Sequence, residues 1–380
     1  MPFALMSGAC CALTGWPPYP GLVPSGRLQV GLSSVIAAAL AACSPAAPAQ
    51  HAAPGTSRPS SAAAHGVRVR SVSPAVTLAF AGDVHFTGRT AALLNNPATA
   101  FGPVSSVLRS ADLTMVNLET AVTSRGTLEP KTYHFRTTPT AFTALRDAGV
   151  DLVTMANNHV LDYGQAGLAD TLAAAGAARF PVVGIGADAA AAWAPYVTTV
   201  KGTRIAIIGV SQVTELASSW VATAARAGEA NAVNLARTLT AVRAARKLAP
   251  IVIVFMHWGT EGEACPDASQ LSLTPRLAAA GASIIIGSHA HMLQGSGWLG
   301  HTFVAYGMAN FVWWENSYST ATGVLTLTVR PHRPLTARFI PAEVSAAGQP
   351  IPLAGAAAKR AATRYASLRT CAGLAAQPSP

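Results

Sequence analysis

From Val76 onward the apolar positions fall into two alternating textures: short β-branched or aliphatic runs, and Ala-rich stretches with polar residues at helical intervals. The runs Val76 to Ala81, Leu113 to Val116, Val150 to Met155, Arg204 to Val210, Ile251 to Met256 and Ala282 to Ile286 end at Gly, Asn or His and predict strands. Between them, Thr138 predicts an N-cap and Pro139 a first helical turn ahead of Ala141 to Ala148, with Gly149 as the stop. Helices are also predicted over Ala166 to Ala175, Asn231 to Leu248 and Ser269 to Ala280. After Gly300 the pattern turns to strands, Thr302 to Tyr306, Gly323 to Val329 and Thr336 to Ile340, and then to a helix-like stretch from Ala356 to Leu368. No internal repeat is visible, and this order predicts an α/β or layered αββα domain over residues 75–345. Residues 346–380 read as a tail whose helix packs back on that domain.

The N-terminal pattern is different. Arg27 precedes a charge-free run from Leu28 to Ala42, long enough for a signal-peptide core and too short to span a bilayer comfortably. Leu40-Ala41-Ala42-Cys43 at its end resembles a bacterial lipobox, which makes residues 1–42 a signal and Cys43 the lipidated mature terminus. An ordinary secretory cut at a nearby Ala-x-Ala-like site is the competing reading. Met1 to Pro24 adds nothing to such a signal and reads as an over-extended translation start. Residues 43–74 are rich in Ala, Pro and Ser and cannot bury enough apolar area to offset chain entropy, so they read as a disordered tether. The expected location is extracytoplasmic, anchored to the cell membrane by the lipid.

Composition sharpens this only in places. Hydrophobic residues make up 51% of the 380, enough for a large core, so a disordered chain is excluded. The net charge of +10 favours polyanionic partners, but no Lys/Arg run of the nucleic-acid kind appears, and scattered solvated Arg accounts for much of it. Of the five cysteines, Cys265 and Cys371 remain beyond Cys43. An even pair in an oxidising compartment reads as a disulfide, with Cys265 as a metal ligand the alternative.

Candidate chemistry lies at the strand ends. Asp83 and His85 follow the first run, Asn117 and Glu119 the second, Asn157, Asn158 and His159 the third, His257 the fifth, and His289 and His291 the sixth. Five of the ten histidines sit there and two more lie in the tether, which argues against chance placement. Any one of them reads as an ordinary hydrogen-bonded residue. In His289-Ala290-His291, alternation in an extended segment predicts both rings on one side. Carboxylates, an amide and several imidazoles meeting at one sheet edge are costly without cations, and two divalent ions suit such N/O ligands.

The order Asp-x-His, acid, Asn-His, His, Gly-x-His-x-His resembles that of calcineurin-like metallophosphoesterases. The segments Ala156 to Gly164, His257-Trp258-Gly259-Thr260-Glu261, Gly287 to His291 and Tyr306 to Phe311 resemble more narrowly the poly-gamma-glutamate capsule-synthesis (CapA) family. The resemblance covers Val76 to Val329 and implies a four-layer αββα sandwich with its metal site at the strands' C-terminal ends. It implies two divalent ions (Mn, Fe or Zn), one held by Asp83, His85 and His291 and the other by Asn158, His257 and His289, with Glu119 bridging. His159 is implied as the catalytic acid of a phosphoester hydrolysis. Glu119 stands where a bridging Asp is usual, and Asn157 where the family pattern has Gly. Arg136, Asn157, Glu261 and Asn310 are the candidate substrate contacts, with Trp258 alongside them; Trp258 and Phe311 also read as packing. The implied partners are an anionic polymer or phosphoester, the membrane through its lipid anchor, and capsule-synthesis proteins, with no nucleic acid expected. A non-hydrolytic polymer-assembly role is the other function the resemblance allows.

Overall fold

The computed structural model describes residues 74–330 and 333–379; the signal, Cys43 and nearly all of the tether lie outside them. Strands β1 (Val76–Val84), β2 (Leu113–Leu118), β3 (Leu152–Thr154) and β4 (Val182–Val183) form the parallel part of a first sheet. The chain then builds a second sheet from β5 (Tyr196–Val200), β6 (Thr203–Ser211), β7 (Ile251–Trp258), β8 (Ile284–His289), β9 (Ser296–Leu299) and β10 (Thr302–Ala305), in the order β9-β10-β8-β7-β6-β5. It returns to the first sheet with β11 (Asn310–Val312), β12 (Ala321–Arg330), β13 (Arg333–Val344) and β14 (Pro350–Pro352). The first sheet reads β14-β13-β12-β1-β2-β3-β4, with β11 also pairing β1. The long helices are α1 (Thr140–Ala148), α2 (Gly164–Ala178), α3 (Leu235–Leu248), α4 (Ala268–Ala280) and α5 (Gly355–Ser367).

Period-two alternation builds the layers. In β6 and β7, Ile205, Ile207, Ile251, Ile253 and Phe255 face the first sheet and meet Leu78, Phe80, Leu113 and Met115 in one buried cluster. Their neighbours Ala206, Ile208, Val252, Val254 and Met256 face the other way, against Val242 and Ala245 of α3 and Leu273 and Leu277 of α4. On the far side of the first sheet, Ala79, Ala81 and Val116 pack with Phe142 and Leu145 of α1 and Leu168 of α2. The result is the four-layer αββα sandwich.

Several boundaries differ from expectation. Helix α1 opens at Thr140, with Pro139 at the cap and no side-chain cap, so Thr138 contributes only its carbonyl, which accepts from Ala141 N. Helix α3 starts at Leu235, capped by Asn234; Asn231 instead holds the loop by donating to Val213 O and Glu229 Oε1. Residues beyond 345 are built into the domain: β14 is an edge strand of the first sheet, and Ala375 pairs with Trp298 through two backbone bonds of 2.8 and 2.9 Å. Cys265 and Cys371 form a disulfide with Cα atoms 5.7 Å apart, which removes Cys265 from any metal set.

Candidate metal centre

The site forms where the core stripe between the sheets runs out. Leu113 and Met115 continue in register to Asn117 and Glu119, and Ile251, Ile253 and Phe255 continue to His257, so the same alternation that packs the core aims polar groups at its end. Asp83 reaches this face through a bulge: Phe80 pairs Met115, but Asp83 pairs Asn117, so β1 spends one extra residue. Ala79 and Ala81 face the helices, as does Val84, and the bulge between them turns Asp83 inward. Asp83, Asn117, His257 and His289 are thus among the last residues of their strands, while His85, Glu119, Asn158, His159 and His291 lie in the segments that follow.

Asp83, His85, Glu119 and His257 are fully buried, and Asn158, His159, His289 and His291 are nearly so. Asp83 Oδ1 accepts from Asn117 Nδ2 at 2.8 Å, and its Oδ2 accepts from His289 N at 3.2 Å and lies 3.6 Å from His291 Nδ1. His257 Nε2 faces Asn158 Oδ1 at 2.8 Å and Glu119 Oε1 at 3.4 Å, while its Nδ1 contacts Ser288 Oγ at 3.0 Å. His291 Nδ1 meets Asn310 Oδ1 at 2.8 Å. His289 and His291 lie in the left-handed region, at φ 90° and 54°, so kinks and not extended alternation bring their rings to 5.9 Å of each other. Such conformations cost about 1–3 kcal/mol each and concentrate at functional sites.

Charge at this site is poorly balanced by the protein itself. Burial, and then the neighbouring Asp83, push Glu119 well above the usual carboxylate range. Burial works against an ionised Asp83, yet its contact with His291 and the nearby imidazoles hold its pKa low. Burial holds His257 down at about 3 and His85 and His289 well below the ordinary imidazole range. Among the described residues, His85 Nε2, Glu119 Oε1 and His289 Nδ1 are buried without a hydrogen-bond partner, which is the state expected of ligand atoms. Ligand atoms of Glu119, His289 and His291 lie within 4.8 Å of one another, as do those of Asp83, Glu119 and His257. Glu119 belongs to both groups. The donor set is that of borderline divalent cations, so the residues fit them.

Next to this cluster, His159 Nδ1 lies 2.7 Å from Asp162 Oδ2, and its Nε2 points toward Glu119 Oε1 at 4.0 Å. Asp162 also accepts from Phe135 N at 2.6 Å and pairs with the buried Lys131 ammonium at 3.1 Å. Burial raises Asp162 to about 7 despite that cation. Lys131 also donates to Asn158 O and pairs with Glu215 at 3.3 Å. Phe135 stacks against both His85 and His159, at 4.5 and 4.0 Å between centroids.

The remaining candidates separate. Asn157 is fully buried, and its amide is committed to Asn117 Oδ1 and Leu118 O, so it braces the turn and has no donor left for a substrate. The Arg136 guanidinium lies over the Tyr163 ring at 4.9 Å, and it is Phe135, one residue earlier, that enters the site. Glu261 is exposed and accepts from Tyr318 Oη at 2.8 Å. Asn310 Oδ1 is spent on His291, leaving its buried Nδ2 unpartnered. Trp258 is packing: its Nε1 donates to Tyr306 O at 2.9 Å. Sequence reasoning missed the roles of Asn117, Asp162 and Lys131. The i,i+3 spacing of His159 and Asp162 in a turn was a usable signal for the second; a lone Lys131 in a loop carried none.

The family described as bacterial capsule synthesis protein PGA_cap matches residues 77–314. The capsule biosynthesis protein CapA of Bacillus anthracis is 28% identical over 246 residues, covering 62% of this chain and 59% of that protein. The PGA biosynthesis protein CapA of Bacillus subtilis is 30% identical over 215 residues, 56% of each. A probable polyglutamine synthesis accessory protein of Mycobacterium tuberculosis is 31% identical over 213 residues, 54% of this chain and 53% of its own length. The chain therefore spans between 53% and 59% of the length of these relatives. Among solved structures, a phosphatase of Mycoplasma pneumoniae is similar at TM-score 0.44 and 15% identity, covering 70% of this chain and 93% of that one. The NAD nucleotidase of Haemophilus influenzae is similar at TM-score 0.45 and 15% identity, covering 80% and 65%. The four-layer assignment rests on the sheets and helices of this chain.

Proposed function

This chain belongs to the bacterial capsule synthesis protein family PGA_cap, and from that premise we propose that it is a metal-dependent phosphoester hydrolase acting on envelope polymers or their precursors. The observation that carries the proposal is the convergence of seven ligand-type side chains on the end of the inter-sheet core, with three of their atoms buried and unpartnered. Asp83, His85 and His291 would hold one divalent cation and Asn158, His257 and His289 a second, with Glu119 between them; Mn, Fe and Zn suit the donors. Cations there supply Lewis acidity toward water and a phosphoryl oxygen.

The chain's own residues do the rest. Asp162 accepts the Nδ1 proton of His159, fixing the ring with Nε2 toward Glu119, where the ring, once protonated on both nitrogens, can deliver its Nε2 proton to a leaving oxygen and return to the neutral form. Lys131 holds Asp162 and the Asn158 carbonyl together, so the turn bearing His159 and Asn158 moves as a unit. Phe135 packs on His159 and keeps bulk water from that side of the ring.

The test is metal content by mass spectrometry and phosphoester turnover of the reconstituted full chain, beside His289→Ala/His291→Ala. We expect about two equivalents of metal, lost in the double variant together with turnover. Bound metal without turnover of any phosphoester would refute the hydrolase reading and favour the second one, a capsule-assembly component that holds an anionic polymer. The printed names of the Bacillus relatives support that second reading. With either role we propose an extracytoplasmic location, an anchor through Cys43 and neighbouring capsule-synthesis proteins; the Cys265–Cys371 disulfide supports an oxidising compartment. Cys43→Ala should move the protein from the membrane fraction to the soluble one, and unchanged fractionation would count against the anchor.

A further inference from the structure

The mouth of the centre exposes more aromatic surface than the cluster itself uses. Phe135 and Trp313 are buried walls, but Tyr133 and Tyr318 are each 57% exposed and Trp314 is partly so. Tyr318 lies flat on His291, centroids 5.8 Å apart and planes within 9°. Trp314 lies 6.4 Å from the His85 ring and 6.3 Å from that of Tyr133. Two solvent-facing rings thus lie on or near histidines of the candidate metal set, and the third, Tyr133, extends the surface from Trp314. Clustered exposed rings at the edge of a polar site mark a binding surface.

The charges around these rings select what binds. The exposed Glu261 carboxylate touches Tyr318, and Glu315 follows Trp314 directly in the chain. Two nearby cations already have partners within the protein. Arg89 donates to Trp313 O, Glu315 O and Asn316 Oδ1, and Lys131 pairs with Asp162 and Glu215. A run of carboxylates approaching this rim meets carboxylates. A polyhydroxylated ring finds flat apolar faces to stack on and carboxylate acceptors for its hydroxyls.

We propose that Tyr133, Trp314 and Tyr318 form a sugar-binding subsite, so that the centre takes phosphoesters whose organic group is an uncharged pyranose next to the phosphoryl group, in preference to acyclic polycarboxylates. The proposal rests on the phosphoester reading above. Trp314→Ala and Tyr133→Ala, singly and together, test it by two readouts on the full chain. The first is the ratio of kcat/KM for a pyranosyl phosphate over glycerol phosphate; it should fall about fivefold or more for each ring removed, the low end of what losing a stacking partner costs. The second is saturation-transfer NMR of methyl glucopyranoside, which needs no turnover: ring-proton signals in the unaltered protein should vanish in the double variant. Tyr133→Ala, at a ring more than half exposed, keeps the test readable if the Trp314 variant fails to fold.

An unchanged ratio, or no saturation transfer to the pyranoside, overturns the subsite. A nucleoside monophosphate that outcompetes the sugar phosphate through the same rings overturns its assignment to sugars, and poly-gamma-glutamate bound more tightly than either overturns the charge argument. Pyranoside binding without hydrolysis of any phosphoester would refute the hydrolase reading while leaving the subsite standing.

Discussion

Removing the Cys265–Cys371 disulfide should destabilise the protein without disturbing the centre. The bond joins residues 106 apart in sequence. Opening a loop of that length returns about 4.7 kcal/mol of chain entropy to the unfolded state, a ceiling because residual denatured structure reduces it. For a domain of this size the corresponding fall in melting temperature is on the order of 5–15 °C. The folded side of the balance should barely change, since the tail is held independently. Ala372 and Leu374 are buried in the outer core of the second sheet, and Ala375 bonds twice to Trp298. Both sulfur-bearing residues are exposed, so reductant reaches them in the native state. The assay is calorimetry of the full chain with and without reductant, beside Cys265→Ser/Cys371→Ser, with metal content measured at room temperature for each. The reasoning predicts that the reduced protein and the double variant melt together, well below the oxidised protein, with unchanged metal content. A reduced protein melting within about 2 °C of the oxidised one, or one that sheds its metal when reduced, would refute it.

Gly287→Ala should be among the most damaging single changes: a Cβ there would meet Tyr306 O at 2.0 Å and Trp258 Nε1 at 2.3 Å, breaking the bond those atoms make. Urea denaturation should show a loss of about 3 kcal/mol or more, and a loss under about 0.5 kcal/mol would contradict the contact. Glu229 gives a pH signature. Burial raises its pKa to about 8 from 4.5, so the folded state binds a proton that the unfolded state releases, and stability is full below about 4.5 and falls as pH rises toward 8. The ceiling on that loss is about 4–5 kcal/mol. Glu229→Gln should flatten this slope and raise the melting temperature at pH 8; an unchanged slope would show that Glu229 does not carry it.

The layers were legible because both faces of β6 and β7 are apolar, and runs such as Ile251 to Met256 announce strands buried on two sides. The ligand-type residues were legible as strand-end clusters, and His257 belongs to the stripe of Ile251, Ile253 and Phe255. Three things were not. Val182–Val183 is too short for any periodic signal, and the edge strand Pro350–Pro352 carries two prolines, which read against a strand. The bulge that aims Asp83 is a property of pairing between β1 and β2, invisible in either alone. Lys131 gains its place only because its loop folds over Asp162 and Trp220, with the ammonium 5.2 Å above the indole. Such long-range contacts leave no trace in local composition.

Segment 306–309 passes so close to both sheets that a Cβ at Gly82 would meet Ala309 O at 1.7 Å and one at Gly287 would meet Tyr306 O at 2.0 Å. Its backbone bonds to each side, Asp83 N to Ala309 O at 3.0 Å and Met308 N to Gly287 O at 2.9 Å. Asp83 from one sheet and Gly287, two residues before His289, from the other are thereby bonded to a common strip of chain. Sliding one sheet along the other would have to break both bonds, so this strip ties the spacing of the two halves of the centre to the backbone of both sheets.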